Sequence, residues 1–407
     1  MKKLIHETYR KIKNIIKIPY HFLCILNASR RKAAIKKMKK YTESKKIKVG
    51  FIVQMPEIWD KEAPVYEAMS IDKRFEVSLI IVPHYNLNES KLESYGEEKE
   101  FFMTKYPKAT FILLKDQKEM IIDVTYDYIF YQRCWEGYLP KQLRCKNVIK
   151  YAMTCYIPYC YHCAPVPNSY YQKDFFWYLS KFYCCSMDQY EEVSRIGNIV
   201  CQYEGFPVID SLRFKEQSHA RCKILWTPRW SDDPSLGGTS FNLYKYNILE
   251  IEKISEHISL TLRPHPLTFE NAVRVGWMTV SEVEEYKDLV FKSGAAFDEN
   301  KIIEDTFFDT DILITDFSSA MVPFFLSGKP IIYCSSTDFE MTDTFRKIMN
   351  SVYVANSWNE VLQYVTELIN GRDVLFEKRK EVITSIRNQT SSVERIINDL
   401  VESIQSN

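Results

Sequence analysis

The chain has 407 residues, 46% of them apolar, with 54 Lys+Arg set against 53 Asp+Glu. That length and apolar content support substantial buried cores and two domains, and no repeat or low-complexity tract interrupts them. The net charge of +1 hides an asymmetry that excludes a uniformly basic surface: residues 1–48 hold sixteen Lys/Arg and two Glu, a net of +14, which leaves −13 for the remainder.

The first predicted element is therefore a basic arm, residues 1–46. Its segment Ile15-Ile16-Lys17-Ile18-Pro19-Tyr20-His21-Phe22-Leu23-Cys24-Ile25-Leu26 is too short and interrupted to span a bilayer, which takes about 20 apolar residues. No small-residue cleavage site marks it as a secretory signal. A basic amphipathic segment with aromatic side chains suits a helix lying on an anionic membrane surface. A helix packing on its own protein, or an RNA-binding arm, is the competing reading.

Beyond the arm, short apolar runs alternate with longer polar-apolar segments. Strands are predicted at Lys48–Gln54, Phe75–Pro83, Ala109–Leu114, Asp127–Gln132, Asn147–Ala152 and Phe182–Ser186, with helices at Lys61–Ile71 and Glu89–Tyr106 between them. Val/Ile-rich strands in this rhythm indicate a parallel sheet covered on both faces. Eleven cysteines are scattered through the chain. Cys155, Cys160 and Cys163 crowd beside His162, but paired C-x-x-C knuckles are missing, so buried reduced thiols are expected and no metal site.

A turn-rich stretch from Gly205 to Ala220 breaks the rhythm and reads as the connection between domains. Strands resume at Lys223–Pro228, Ile258–Leu262, Asp311–Thr315, Pro330–Cys334 and Ser351–Val354. Helices are predicted at Leu243–His257, Val280–Lys292, Trp358–Asn370, Val374–Ile386 and Ser391–Ile404. The organisation expected is an N-terminal α/β domain at 47–204, a linker at 205–222, a C-terminal α/β domain at 223–388 and a closing helix at 389–407. The two doubly wound, Rossmann-like domains would face each other over a cleft.

Polar bursts stand where three strands of the second domain stop, the place where open α/β sheets bind ligands. Leu225-Trp226-Thr227-Pro228-Arg229-Trp230 sets a hydroxyl and a guanidinium past the first strand, followed by a loop, Ser231 to Gly238, whose glycines permit positive φ. Arg263-Pro264-His265-Pro266 ends the second; its prolines restrict the backbone, and Arg263 can grip a phosphate while His265 donates to a phosphate oxygen or protonates a leaving group. The bland alternative is an arginine pairing a carboxylate and a histidine capping the next helix. Thr315-Asp316-Phe317-Ser318-Ser319 places Ser318 and Ser319 at a helix N-terminus, which favours an anion, and Asp316 can fix the serine loop or bind a donor hydroxyl.

These residues resemble a known family. The TPRW segment after a strand, RPHP, and DILITDFSSAMVPFFLSGKPIIY are similar to the CDP-glycerol glycerophosphotransferases, the teichoic-acid primases and polymerases, over about residues 205–390. Asp311–Tyr333 is the most specific part. The resemblance implies a GT-B fold, metal-independent transfer without a cofactor, and attachment to the cytoplasmic face of the cell membrane, which suits the basic arm. It also implies that Arg263, His265, Ser318 and Ser319 hold the donor pyrophosphate; Thr227, Arg229 and Asp316 are expected at the donor site from their own places at the strand ends.

The N-terminal half departs from that family's pattern, whose Trp-His-Gly-Thr-Pro segment carries the proposed base. At the comparable strand end stands Lys150-Tyr151-Ala152-Met153-Thr154-Cys155-Tyr156-Ile157-Pro158-Tyr159-Cys160-Tyr161-His162. His162 is the closest chemical substitute, the competing reading being a Tyr-rich acceptor loop with a core-packed histidine, and Asp60, Glu62 and Glu67 are other candidates. The reading is a transferase that moves an alditol phosphate, most simply glycerol phosphate, from a CDP-activated donor to a hydroxyl of a cell-surface glycan or lipid-linked acceptor. A GT-B glycosyltransferase using a nucleotide sugar, or a non-catalytic nucleotide-binding scaffold, is the alternative.

Overall fold

The computed structural model describes residues 26, 46–83, 85–86, 91–113, 126–196, 199–212, 221–233, 238–335, 338–387 and 391–405. The predicted basic arm lies, apart from Leu26 and Lys46, outside the described residues. The chain forms two compact units. The first runs to Tyr159, resumes over Val166–Asp210 and takes in the C-terminal segment, whereas the second comprises Cys160–Pro165 and Ser211–Gln389.

The first unit is built on seven strands: β1 (Ile47–Val53), β2 (Phe75–Ile81), β3 (Thr110–Leu113), β4 (Tyr128–Tyr131), β5 (Met153–Tyr156), β6 (Lys181–Cys184) and β7 (Cys201–Tyr203). All pair in parallel, in the order β3-β2-β1-β4-β5-β6-β7. Strand alternation sends Val49, Phe51 and Val53 to one apolar cluster and Ile52 to the other, so both faces are buried. Gly50 has a packing reason: a Cβ there would stand 2.8 Å from Ile80 Cδ1 and 3.1 Å from Ile129 Cδ1.

The C-terminal helix Ser392–Gln405 belongs to this first unit although it closes the chain. Ile396 and Leu400, four residues apart and both fully buried, join the cluster that holds Phe51 and Phe130. Polar contacts set its register. Lys181 Nζ donates to both oxygens of Asp399 and to Ser403 Oγ, each at 2.6 Å, and Tyr128 Oη donates to Leu400 O at 2.9 Å. We expect Leu400→Ala to destabilise the first unit by about 2–5 kcal/mol, read as a lower urea midpoint.

The second unit has six strands: β8 (Cys222–Thr227), β9 (Ile258–Leu262), β10 (Ala296–Phe297), β11 (Ile312–Thr315), β12 (Ile331–Cys334) and β13 (Tyr353–Ala355). They too are parallel, in the order β10-β9-β8-β11-β12-β13. Its longest helix, Val280–Ser293, starts at a capping box between Thr279 and Glu282 and ends at Gly294 with φ 94°.

Three predicted elements differ from the structure, the first being the helix expected at Glu89–Tyr106, which begins only at Glu97 after the short strand Lys91–Leu92. The apolar run at Asn147–Ala152 is a helical turn, Cys145–Val148, that leads into β5. There the Asn147 side chain donates to Lys141 O at 2.5 Å, a local bond that competes with a ladder. The predicted helix Leu243–His257 splits into Phe241–Tyr244 and a 3₁₀ helix, Asn247–Lys253. Ile248, Ile251 and Ile254 recur every three residues, the 3₁₀ period, and the first two are fully buried.

Candidate active site at the carboxyl ends of the second sheet

In this sheet the chain runs from β8 outward to β9 and β10, then returns to the other side of β8 with β11. The order reverses between β8 and β11, and ligands of doubly wound sheets bind outside the carboxyl ends at that place. The TPRW and TDFSS segments leave the sheet there, with RPHP one strand away. Thr227 Oγ1 donates to Thr315 Oγ1 at 2.8 Å, and Thr315 Oγ1 donates to Thr227 O at 2.9 Å. Both threonines are buried. The Thr227 hydroxyl therefore ties β8 to β11 at the carboxyl ends of the strands.

Asp316 is fully buried. Its Oδ2 accepts from the backbone N–H groups of Arg229 and Ser240, each at 2.9 Å, and lies 3.2 Å from Thr239 Oγ1. Thr239 Oγ1 also donates to Arg229 O at 2.6 Å. The carboxylate thus pins both ends of the 229–240 loop, not the serine loop. Burial pushes its pKa from 3.8 up to about 6, against the pull of those hydrogen bonds, and Oδ1 has no hydrogen-bond partner.

The Asp316 clamp positions Arg229. Its guanidinium lies over the Phe317 ring, 5.3 Å from the centroid, and its charge reaches His265. Trp230 packs against the His265 ring at 5.9 Å, and its carbonyl accepts from Asn271 Nδ2 at 2.7 Å. His265 Nδ1 accepts from Leu267 N at 3.2 Å, so the neutral ring carries its proton on Nε2. Partial burial of the ring, and then the Arg229 cation, lower its pKa from 6.5 to about 4.

At neutral pH His265 therefore presents an uncharged ring with its Nε2–H as a hydrogen-bond donor. We expect its ¹H NMR titration to have a midpoint near pH 4. A midpoint at or above 6.5 would contradict this geometry. The folded state binds this proton less readily than the unfolded chain. Acidification between about pH 6.5 and 4 therefore favours unfolding through this residue.

Arg263, expected to grip a phosphate, is held by groups of the protein. Its Nη1 pairs with the buried Asp298 carboxylate and donates to Asn300 O at 2.7 Å, while Nη2 donates to Lys301 O at 3.2 Å. Asp298 also accepts from Thr306 Oγ1 at 2.5 Å. Arg263 thus fastens the end of β9 to the segment after β10.

Ser318 and Ser319 precede the short helix Met321–Phe325 and are half-buried. Ser318 Oγ accepts from Ala320 N at 3.2 Å, and the two serine carbonyls accept from Met321 N and Val322 N. The helix has only five residues and its N-cap is Ala320, so the serine hydroxyls, more than a helix dipole, are what this turn offers a phosphate.

His162, the predicted base, is buried and lies within Cys160–Pro165, part of the second unit and not of the expected 47–204 domain. Its carbonyl accepts from Thr342 Oγ1 at 3.1 Å, and Thr342 N donates to Cys163 O at 3.0 Å. In the first unit Asp60 is buried in an ion pair with Lys61, and Glu67 is exposed and accepts from Tyr106 Oη at 2.7 Å. Glu62 is buried with neither oxygen partnered, and burial raises its pKa well above 4.5. Among the described residues, no group of three or more His, Cys, Asp or Glu side chains is placed to hold a metal ion.

Sequence reasoning missed Trp230, Thr239 and Asp298. Asp298 is 35 residues from Arg263 and has no local signature, whereas Thr239 was within reach as the hydroxyl that ends a glycine-containing loop.

Residues 210–391 match the sequence model of the family described as CDP-Glycerol:Poly(glycerophosphate) glycerophosphotransferase. No curated protein matches the chain. Solved structures share its fold along most of its length. The wall teichoic acid polymerase TagF is 12% identical with a TM-score of 0.53, over 98% of this chain and 99% of its own. The UDP-GlcNAc 2-epimerase from Neisseria meningitidis bound to UDP-GlcNAc is 12% identical with a TM-score of 0.56, over 87% and 99%. A putative UDP-N-acetylglucosamine 2-epimerase from Listeria monocytogenes is 12% identical with a TM-score of 0.55, over 89% and 98%. At these identities the likeness establishes the fold, a GT-B-like pair of parallel-sheet α/β units.

Proposed function

We propose, from the premise that this chain is a CDP-glycerol glycerophosphotransferase-like enzyme, that it moves glycerol phosphate from CDP-glycerol to a hydroxyl of a cell-surface glycan or lipid-linked acceptor. The acceptor oxygen attacks the β-phosphorus in line, the bond from that phosphorus to the bridging oxygen breaks, CMP leaves, and the acceptor hydroxyl gives up its proton. Such transfer depends mainly on positioning and charge stabilisation. The observation that carries the reading is the convergence of the TPRW and TDFSS segments at the β8/β11 reversal, through the Arg229–Asp316 hydrogen bond.

Arg229 and the His265 Nε2–H would hold donor phosphate oxygens, with the Ser318 and Ser319 hydroxyls beside them, while Asp316 keeps the Arg229 loop in place. The test is incubation of purified protein with CDP-glycerol, CDP-ribitol and a panel of UDP-sugars in the presence of membrane lipids. CMP release from CDP-glycerol is expected, and UDP release alone would replace this reading with a sugar transferase.

The charge of the N-terminal segment supports a peripheral membrane location, with residues 1–46 on the anionic surface of the cytoplasmic face. Among the described residues no helix is long and apolar enough to cross a membrane. Deleting residues 1–40 is expected to release the protein from sedimenting membranes, as high salt should for the intact chain. A truncated protein that still sediments would remove the arm from this role.

A further inference from the structure

The first sheet has its own reversal of strand order. From β1 the chain goes outward to β2 and β3, then returns on the other side of β1 with β4, so β1 and β4 flank the place where a ligand is expected. The residues that follow these two strands are joined there. Gln132 Oε1 accepts from Gln54 N and Met55 N, each at 2.9 Å, and Gln54 Oε1 accepts from Arg133 Nη2 at 3.0 Å.

Two cations stand at this edge. Arg133 lies over Tyr138 at 4.4 Å from the ring centroid, with its Nε buried and without a hydrogen-bond partner. Lys173 Nζ lies 3.5 Å from the Trp135 ring centroid and 3.8 Å from that of Tyr170, and it too is buried without a hydrogen-bond partner. Trp135, which covers this ammonium, is itself 42% exposed.

Aromatic faces attract a cation, but they do not replace the hydrogen bonds that an ammonium loses on leaving water. A fold with no use for the charge would place methionine or leucine under Trp135 at lower cost. An anion reaching Lys173 as Trp135 turns aside would supply the missing partner, and the exposed indole would stack on the attached carbon skeleton.

We propose that Arg133 and Lys173 form an anion subsite for the phosphate-bearing part of the acceptor, with Trp135 as its movable cover. The inference rests on the transferase reading above and adds the residues of this chain that would recognise the acceptor's phosphate.

The test uses the full-length protein and its Lys173→Gln, Lys173→Arg, Arg133→Gln and Trp135→Phe variants. Steady-state CMP release is measured against acceptor and donor concentration in turn. Lys173→Gln and Arg133→Gln are expected to raise the acceptor KM about 10-fold or more, a loss that one charge-assisted phosphate contact accounts for. The donor KM should stay unchanged and Lys173→Arg should restore most of the loss. An acceptor KM unchanged in Lys173→Gln would overturn the subsite.

Binding is measured separately by fluorescence, with a short oligo(glycerol phosphate), a polyprenyl diphosphate glycolipid in detergent and free glycerol as probes. A signal from either phosphate probe, weakened by salt and lost in Lys173→Gln and Trp135→Phe, supports the subsite and identifies the source of the phosphate. Equal binding of glycerol, or no binding of either phosphate probe, overturns it. A protein that binds a phosphate probe through Lys173 but releases no CMP would keep this subsite while removing the transferase reading.

Discussion

Replacing His265 with alanine is expected to lower kcat/KM for CDP-glycerol by about 10²- to 10³-fold, the range for removing one positioned hydrogen-bond donor to developing charge, with the melting temperature nearly unchanged. The side chain's protein contacts are modest: one bond from Leu267 N to Nδ1 and the packing of its ring on Trp230. Its value lies in the Nε2–H, held neutral beside Arg229. Glutamine keeps an N–H donor at similar reach, so His265→Gln should retain more activity than His265→Ala. Equal losses in the two would point to the ring's packing instead. Near-normal turnover in His265→Ala would remove the donor-site assignment, and Ser318→Ala gives a second check because its backbone turn survives the change.

Arg263→Ala is expected to behave in the opposite way, losing stability first. Removing the guanidinium leaves the Asp298 carboxylate buried without its cation and removes the hydrogen bonds to the Asn300 and Lys301 carbonyls. Breaking one side of such a pair costs about 3–5 kcal/mol, which for a unit of this size lowers the melting temperature by roughly 6–20 °C. Arg263→Ala combined with Asp298→Asn should recover part of that loss, since the stranded charge is gone. If Arg263→Ala instead melts normally and loses donor affinity alone, the predicted phosphate grip is restored and the structural assignment fails.

These two neighbouring residues show how far the sequence could be read. RPHP identified a rigid strand end carrying a cation and an imidazole, but not which protein groups the cation meets. That depends on Asp298, which β10 brings beside β9 and which no pattern near Arg263 announces. Asp316 is similar. Its place after the apolar run Asp311–Ile314 was legible, whereas its partners at Arg229 and Ser240 come from a loop some 80 residues earlier. The isoleucines at 248, 251 and 254 carried their own signal, a period of three, which a helical reading of period 3.6 overlooks.

What the sequence determined by itself was the set of buried strands and the chemistry at their ends. Runs of branched apolar residues can satisfy their backbone in few ways other than a covered parallel sheet, and polar side chains that follow such runs have only the carboxyl edge to occupy. The tertiary structure decided the pairings between distant segments. It carried the C-terminal helix back onto the first sheet, moved His162 into the second unit, committed Arg263 to Asp298 and turned Asp316 into a loop clamp. Each of these is a contact between residues far apart in the chain, chosen by packing and charge burial that only the folded arrangement brings within reach.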